Sequence, residues 1–254
     1  MYYYAASDMH GNLPAFMNAL INVDLSNGKN KLFLLGDYIG RGDKSCELLY
    51  FIKDMQTQYG DQVVVLMGNH EEAFLEWIDD PFGHARYCDD GFEVIKSFLR
   101  ENPIWHKDLT KQSEMTVAAI KEKHHELIDW LKSLPLYFET EEQVFVHAGI
   151  LEEAGDLWKQ GTPAEYFTSK FPPKRGVFHK DIIAGHVATA ALADNPNYFE
   201  VYWDGENHFF IDGRTTVSNF VPVLKYDTVS CTYTTFREIE LPSGKMKWGE
   251  VKII

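Results

Sequence analysis

Lys31-Leu32-Phe33-Leu34-Leu35-Gly36-Asp37-Tyr38-Ile39-Gly40-Arg41-Gly42-Asp43 begins as a short apolar run and turns at once into two carboxylates, an arginine and three glycines. The run reads as a strand buried on both faces. In an open α/β sheet, ligands bind beyond the carboxyl ends of the strands. The pattern recurs along the chain. Tyr2–Ala6, Gln62–Met67, Gln143–Val146 and Asp181–Ala184 also read as buried strands. Their ends carry Ser7-Asp8-Met9-His10-Gly11, Gly68-Asn69-His70-Glu71, His147-Ala148-Gly149 and Gly185-His186. A glycine and one polar residue after a strand is ordinary turn chemistry. Five such clusters, all drawing on Asp, Asn and His, point to convergence on one edge.

Between these runs the period changes to that of helices. Leu13–Val23 places Leu13, Phe16, Met17, Leu20 and Ile21 on one face, with Asn12 as a cap and Pro14 in the first turn. Lys44–Gln58 does the same with Leu48, Ile52 and Met55. Strand, helix, strand, helix, strand predicts parallel pairing through right-handed crossovers. Residues 71–132 read as a mostly helical cap insertion, broken near Pro81, Gly83, Gly91 and Pro103. After residue 197 short strands come in close succession: Tyr198–Trp203, His208–Ile211, Val221–Tyr226, Val229–Phe236 and Trp248–Ile254. Asp204-Gly205, Asp212-Gly213 and Ser243-Gly244 read as the turns between them, and the group as a second, largely antiparallel sheet. The expected fold is α/β, with two packed sheets and helices in a single domain over residues 1–254.

Composition narrows the partners. The 254 residues are 45% apolar, enough for a large core, and carry a net charge of −14. That charge disfavours non-specific binding to nucleic acid or to an anionic membrane. Local cations or metals can still reverse the potential inside a cleft, so phosphorylated substrates remain open. Cys46, Cys88 and Cys231 share no short spacing and are odd in number, which argues against a disulfide framework or thiolate zinc site. No secretory leader is visible, and no apolar run approaches the ~20 residues of a membrane span. A cytoplasmic protein is expected.

The strand-end residues suit divalent ions. Carboxylate, imidazole and amide oxygens together fit manganese, with iron or zinc next, better than calcium or a thiolate-seeking ion. One carboxylate shared by two ions would give a dinuclear site able to activate water and hold a phosphoryl group. Arg41, four residues beyond Asp37, has the reach and fork to clamp phosphate. His70, next to Asn69, is placed to protonate a leaving group.

The series SDMHG, GDYIGRG, GNHE, HAG and GH, in this order, resembles the phosphoprotein-phosphatase branch of the calcineurin-like metallophosphoesterases. The chain is most similar to bacterial serine/threonine protein phosphatases and symmetrical diadenosine tetraphosphatases. The likeness runs from Asp8 to His186 and includes Trp130–Gly149. It implies a β-sandwich flanked by helices. It also implies that Asp8 and His10 bind one metal, Asp37 bridges both, and Asn69, His147 and His186 complete the second. Arg41, Asn69 and His70 would then meet the phosphate, with metal-activated hydroxide attacking in line.

Two positions depart from the pattern. Protein phosphatases of this branch carry an aspartate where Gly40 stands, paired with the histidine of GNH. An aspartate at position 40 is therefore expected to raise monoesterase activity. The second phosphate-binding arginine is not evident either: Trp158 is followed by Lys159, and Arg175 is the one arginine between His147 and His186. Lys159 and Arg175 are the candidates for that role.

The first expectation is a serine/threonine protein phosphatase acting on a phosphorylated protein. Its rivals are a dinucleoside-tetraphosphate hydrolase and a non-catalytic metal- and phosphate-binding module. Arg41-Gly42-Asp43 as an adhesion motif would need export. Residues 70–74 are not HExxH, because position 74 is phenylalanine. His124 and His125 are expected to face solvent, His84 and His106 to pack or lie on the surface. Glu71 and Glu72 are read as favouring a helix N-terminus.

Overall fold

A computed structural model describes residues 1–84, 91–100, 113–240 and 244–254. Strands β1 (Tyr2–Ala6), β2 (Lys31–Leu34) and β3 (Val63–Val65) pair in parallel, linked by helices α1 (Leu13–Leu20) and α2 (Ser45–Tyr59). Asn12 caps α1 through its Oδ1, 3.1 Å from the Ala15 amide. The helix stops short of Val23, closing in tighter hydrogen bonds from Ile21 to Asn18 and from Val23 to Leu20. A second sheet holds β4 (Tyr137–Glu139), β5 (Gln143–Val146), β6 (Asp181–Ala188), β7 (Tyr202–Trp203) and β8 (His208–Asp212). Its central strands β5, β6 and β8 run parallel, with β4 and β7 antiparallel at its edges.

The late strands do not form a sheet of their own. β7 and β8 extend the second sheet. β9 (Leu224–Asp227), β10 (Thr232–Glu240) and β11 (Met246–Lys252) turn back and add antiparallel to β1, giving the order β11-β10-β9-β1-β2-β3. Spacing in the sequence reports strands but not which edge they join, and here β9 pairs with the first strand of the chain. The expected Tyr198–Trp203 strand is shorter because just Tyr202 and Trp203 reach β8. β4, which is not among the expected strands, supplies the other edge.

Alternation along each strand divides the core. Phe33, Leu35, Phe145, Ile183, Phe209 and Tyr233 fill the space between the sheets. Leu32, Leu34 and Val65 face the other way, onto α1, α2 and α3 (Asn69–Asp79). The helices Phe92–Leu99 and Ser113–Lys132 pack into that same outer layer through Val94, Phe98, Ile120, Leu127 and Leu131. Val144, Val146 and Ile182 line the outer face of the second sheet with Trp158 and Phe167. Two mixed sheets flanked by helices are thus what the chain forms.

His124 corrects an expectation. It is buried, its Nδ1 2.9 Å from the Tyr50 hydroxyl and its Nε2 3.1 Å from the Phe98 carbonyl, at a kink in helix Ser113–Lys132. The position shares the apolar stripe of Ile120, Leu127 and Ile128, which outweighs its charged neighbours in sequence. His125 is exposed, as is His84, which lies 3.6 Å from Glu76. His106 and Cys88 lie outside the described residues. No helix among the described residues is long and apolar enough to cross a membrane.

Candidate metal centre

The carboxyl ends of β1, β2, β3, β5 and β6 meet along one rim of the sandwich, bringing together residues from five separate stretches of chain. Asp37 sits in the middle. Its Oδ2 lies 3.9 Å from His10 Nε2 and 3.8 Å from His70 Nε2, while its Oδ1 lies 3.3 Å from His147 Nε2. Asp8 Oδ1 is 4.0 Å from His10 Nε2. On the other side Asn69 Oδ1 lies 3.0 Å from both His147 Nε2 and His186 Nδ1. The two oxygens of one carboxylate thus face two donor groups, His10–Asp37–His70 and Asp37–His147–His186. In each group the possible ligand atoms lie within 4.8 Å of one another. A carboxylate so placed offers one oxygen to each group.

Ring orientation supports the same arrangement. His147 Nδ1 is 2.8 Å from the Leu35 carbonyl and His10 Nδ1 is 3.1 Å from the Ile39 carbonyl. A ring nitrogen that donates to a backbone carbonyl leaves the other nitrogen free to bind metal.

The backbone is bent to hold this shape. Asp8, His10, Asp37 and His186 all have left-handed φ, 57°, 46°, 54° and 62°. Each such residue carries a strain of order 1–3 kcal/mol that persists where surrounding bonds over-determine it. Here the Asp8 amide donates to the Gly36 carbonyl, the His10 amide to Asp37 and the Gly11 amide to Tyr38, at 3.1, 2.9 and 2.7 Å. Gly185 is required beneath: a Cβ there would collide with Ser7 Oγ and with the Asp8 carboxylate.

Burial pushes the Asp8 and Asp37 carboxyls well up, helped at Asp8 by Asp212 and at Asp37 by Asp8. It pushes His147 well down, and lowers His10 to about 3, with the neighbouring histidines adding to the effect. The acids are driven towards neutrality and the imidazoles kept uncharged, as expected where bound cations complete the charge balance. Neutral imidazoles, carboxylates and an amide oxygen also match the donor types that intermediate divalent ions accept. The residues present fit two such ions.

Glu71 does more than the sequence suggested. It is fully buried, and its two oxygens accept the amides of Asp37, Tyr38, Ile39 and Gly68 at 2.8, 2.9, 3.0 and 3.1 Å. Burial raises it to about 7, against the pull of those four donors. One carboxylate therefore fixes the loop that carries Asp37 and the turn that carries Asn69. Asp212 was also missed. It ends β8 and pairs in register with Ala188, two residues beyond His186. Burial raises its carboxyl, opposed in part by Arg41 and Arg214. The rule that picked the other clusters, a polar residue directly after an apolar strand, picks Asp212 as well. Reading Asp212-Gly213 as a turn concealed it.

Gly40 overturns one expectation. It has φ 141°, and a Cβ there would stand 2.7 Å from His10 Nδ1 and 3.0 Å from His70 Nδ1. No side chain fits without moving the donor histidines, so an aspartate at 40 cannot restore a partner to His70. Gly40→Asp is expected to lower kcat/KM for p-nitrophenyl phosphate at pH 7 by at least about tenfold, reflecting strain of order 1–3 kcal/mol. An increase in kcat/KM would show that the site repacks around the new carboxylate.

The structure does not bring Lys159 or Arg175 to the centre. Lys159 is ion-paired with Glu139. That residue pairs in register with Val144, three positions and about 10 Å before His147 along the sheet. Arg175 lies 3.3 Å from the Tyr202 hydroxyl, beside Gly176, whose carbonyl meets His208 at the opposite end of β8. Arg41 is exposed at the rim, with no ion pair among the described residues.

A family model of the calcineurin-like phosphoesterases matches residues 1–228. The chain belongs to this family. Calcineurin-like phosphoesterases are dinuclear-metal-dependent, and the two donor groups around Asp37, with Asp8 beside His10 and Asn69 beside His147 and His186, offer the candidate ligands here for two ions. Among curated relatives, a symmetrical bis(5'-nucleosyl)-tetraphosphatase of Chromobacterium violaceum is 31% identical over 150 residues, 59% of this chain and 44% of that protein. Its counterpart in Marinomonas sp. is 24% identical over 193 residues, 70% of this chain and 60% of that protein. The chain thus spans about half the length of these relatives. A solved cold-active protein-tyrosine phosphatase of a psychrophilic Shewanella shares the fold, with TM-score 0.57, 18% identity and coverage of 97% and 80%.

Proposed function

We propose that this calcineurin-like phosphoesterase hydrolyses phosphoanhydrides of the dinucleoside-tetraphosphate class, with Asp37 shared between two divalent ions. The closed position at Gly40 carries the choice of substrate. Among the described residues no carboxylate hydrogen-bonds the His70 imidazole to orient it or favour its protonated form; Asp37 Oδ2 stands 3.8 Å from Nε2, while Asp37 Oδ1 takes the His70 backbone amide at 3.1 Å. Burial, with Arg41 and His186, lowers its pKa to about 4. A leaving phosphate needs less acid assistance than a serine alkoxide, so this arrangement suits an anhydride better. The tetraphosphatase relatives support the same reading.

Asp8 and His10 would hold one ion, Asn69, His147 and His186 the other. Manganese matches this mixed oxygen and nitrogen set. The ions would supply Lewis acidity and lower the pKa of a water for in-line attack. Arg41 clamps the attacked phosphoryl group, Asn69 orients it, and His70 delivers a proton where the leaving group demands one. The free thiols of Cys46 and Cys231 fit a reducing cytoplasm.

Turnover of diadenosine tetraphosphate, a phosphoserine peptide and p-nitrophenyl phosphate tests the reading. ADP release with the highest kcat/KM of the three is expected, and preference for the peptide would contradict it. For His70→Ala the expected loss is roughly hundredfold on an alkyl phosphate and less than about tenfold on p-nitrophenyl phosphate. Equal losses on both would remove its role as acid.

A further inference from the structure

A cavity of about 300 Å³ opens beside the metal centre, between His10, the loop Arg41-Gly42-Asp43-Lys44 and the turn that carries Thr216 and Asn219. Its walls are tied by a hydrogen bond of 3.0 Å from Asn12 Nδ2 to Asn219 Oδ1. Two cationic side chains, Arg41 and Lys44, and one carboxylate, Asp43, line it. Neither Arg41 nor Lys44 has a side-chain partner among the described residues, whereas the carboxylate of Asp43 is held by Arg100 at 3.1 Å. The positive end of α2, a helix of 15 residues, begins directly after Lys44. Thr216 and Asn219 add neutral hydrogen-bonding groups on the opposite wall. In a chain of net charge −14, two cations left unpaired around a hollow next to the reaction centre call for an anionic occupant.

We propose that this cavity binds the phosphates beyond the one attacked, with Lys44 as their specificity-determining contact. The inference rests on the anhydride reading and deepens it: the chain would select condensed phosphates, nucleoside diphosphate ends above all, over phosphomonoesters. Arg41, at the mouth of both sites, meets the attacked phosphoryl group. Lys44, one helical cap further on, meets the next. Lys44 offers a point charge with three rotatable donors, which suits a mobile polyphosphate tail better than a fixed fork.

Binding by calorimetry tests the cavity separately from turnover, with ADP and orthophosphate as probes and manganese in excess. Lys44→Ala is expected to weaken ADP about tenfold and orthophosphate less than twofold, the loss of one charge-assisted hydrogen bond. Asn219→Asp keeps the acceptor for Asn12 and adds a negative charge to the cavity wall, so it is expected to weaken ADP to a similar degree. Asparagine and aspartate both tolerate the left-handed φ of 53° found there. Loss of orthophosphate in parallel with ADP, or no change in either, would overturn the proposal. A wild-type protein that prefers phosphoserine peptides while the two variants still lose ADP selectively would sink the anhydride reading and leave the cavity assignment standing.

Discussion

Asp37→Asn is expected to lower kcat on every phosphate substrate by roughly 10³–10⁴-fold, the effect of losing a shared ligand from a two-ion site. The substitution keeps the shape of the side chain and replaces one charged oxygen by an amide nitrogen. Whichever oxygen is lost, one donor group is broken, because Oδ2 faces His10 and Oδ1 faces His147. Bound metal should fall from two ions per chain to one or none by elemental analysis. The fold should survive or gain stability, since burial of the Asp37 carboxylate beside Asp8 opposes its ionised form. A variant with two ions and kcat within tenfold of wild type would show that another group bridges them.

Glu71→Gln should produce the largest loss of stability, about 3 kcal/mol by urea denaturation, because buried amides lose an acceptor. Four backbone N–H groups converge on the Glu71 carboxylate, two on each oxygen. Glutamine has one oxygen to offer and turns an NH₂ towards the remaining pair. The damage is directed at the site, since the orphaned amides include either those of Asp37 and Gly68 or those of Tyr38 and Ile39. Metal content and kcat should fall with stability, although Glu71 touches neither ion nor substrate. Unchanged stability would mean that the loop holds its left-handed Asp37 by its bonds to Asp8, His10 and Gly11, between β1 and α1, alone.

Much of this architecture is legible in the sequence alone. Apolar runs alternating with helical periods announce the parallel pairs β1–β2–β3 and β5–β6. A polar cluster at each of five strand ends announces the convergence of Asp8, His10, Asp37, Asn69, His147 and His186. The assignment of late strands to sheets is not legible, because local spacing carries no information on non-local edges: β9 joins β1, more than 200 residues away in the chain. Charge in a sequence window misjudges His124, whose burial is decided by Tyr50 and Phe98 on other helices. Distance from motifs in sequence singles out Lys159 and Arg175, yet ion pairing and strand register place them elsewhere. Glycine at position 40 signals a difference at the reaction centre, while its geometric reason, the two imidazoles against the missing Cβ, needs the folded chain.

The sharing of Asp37 is the claim on which the rest depends, and electron paramagnetic resonance of the manganese-loaded protein addresses it most directly. Two ions held by one carboxylate are close enough for their spins to couple. The expected spectrum is that of an exchange-coupled Mn(II) pair at two ions per chain, collapsing to an isolated ion in Asp37→Asn. An uncoupled six-line spectrum from the wild-type protein at one ion per chain would contradict it.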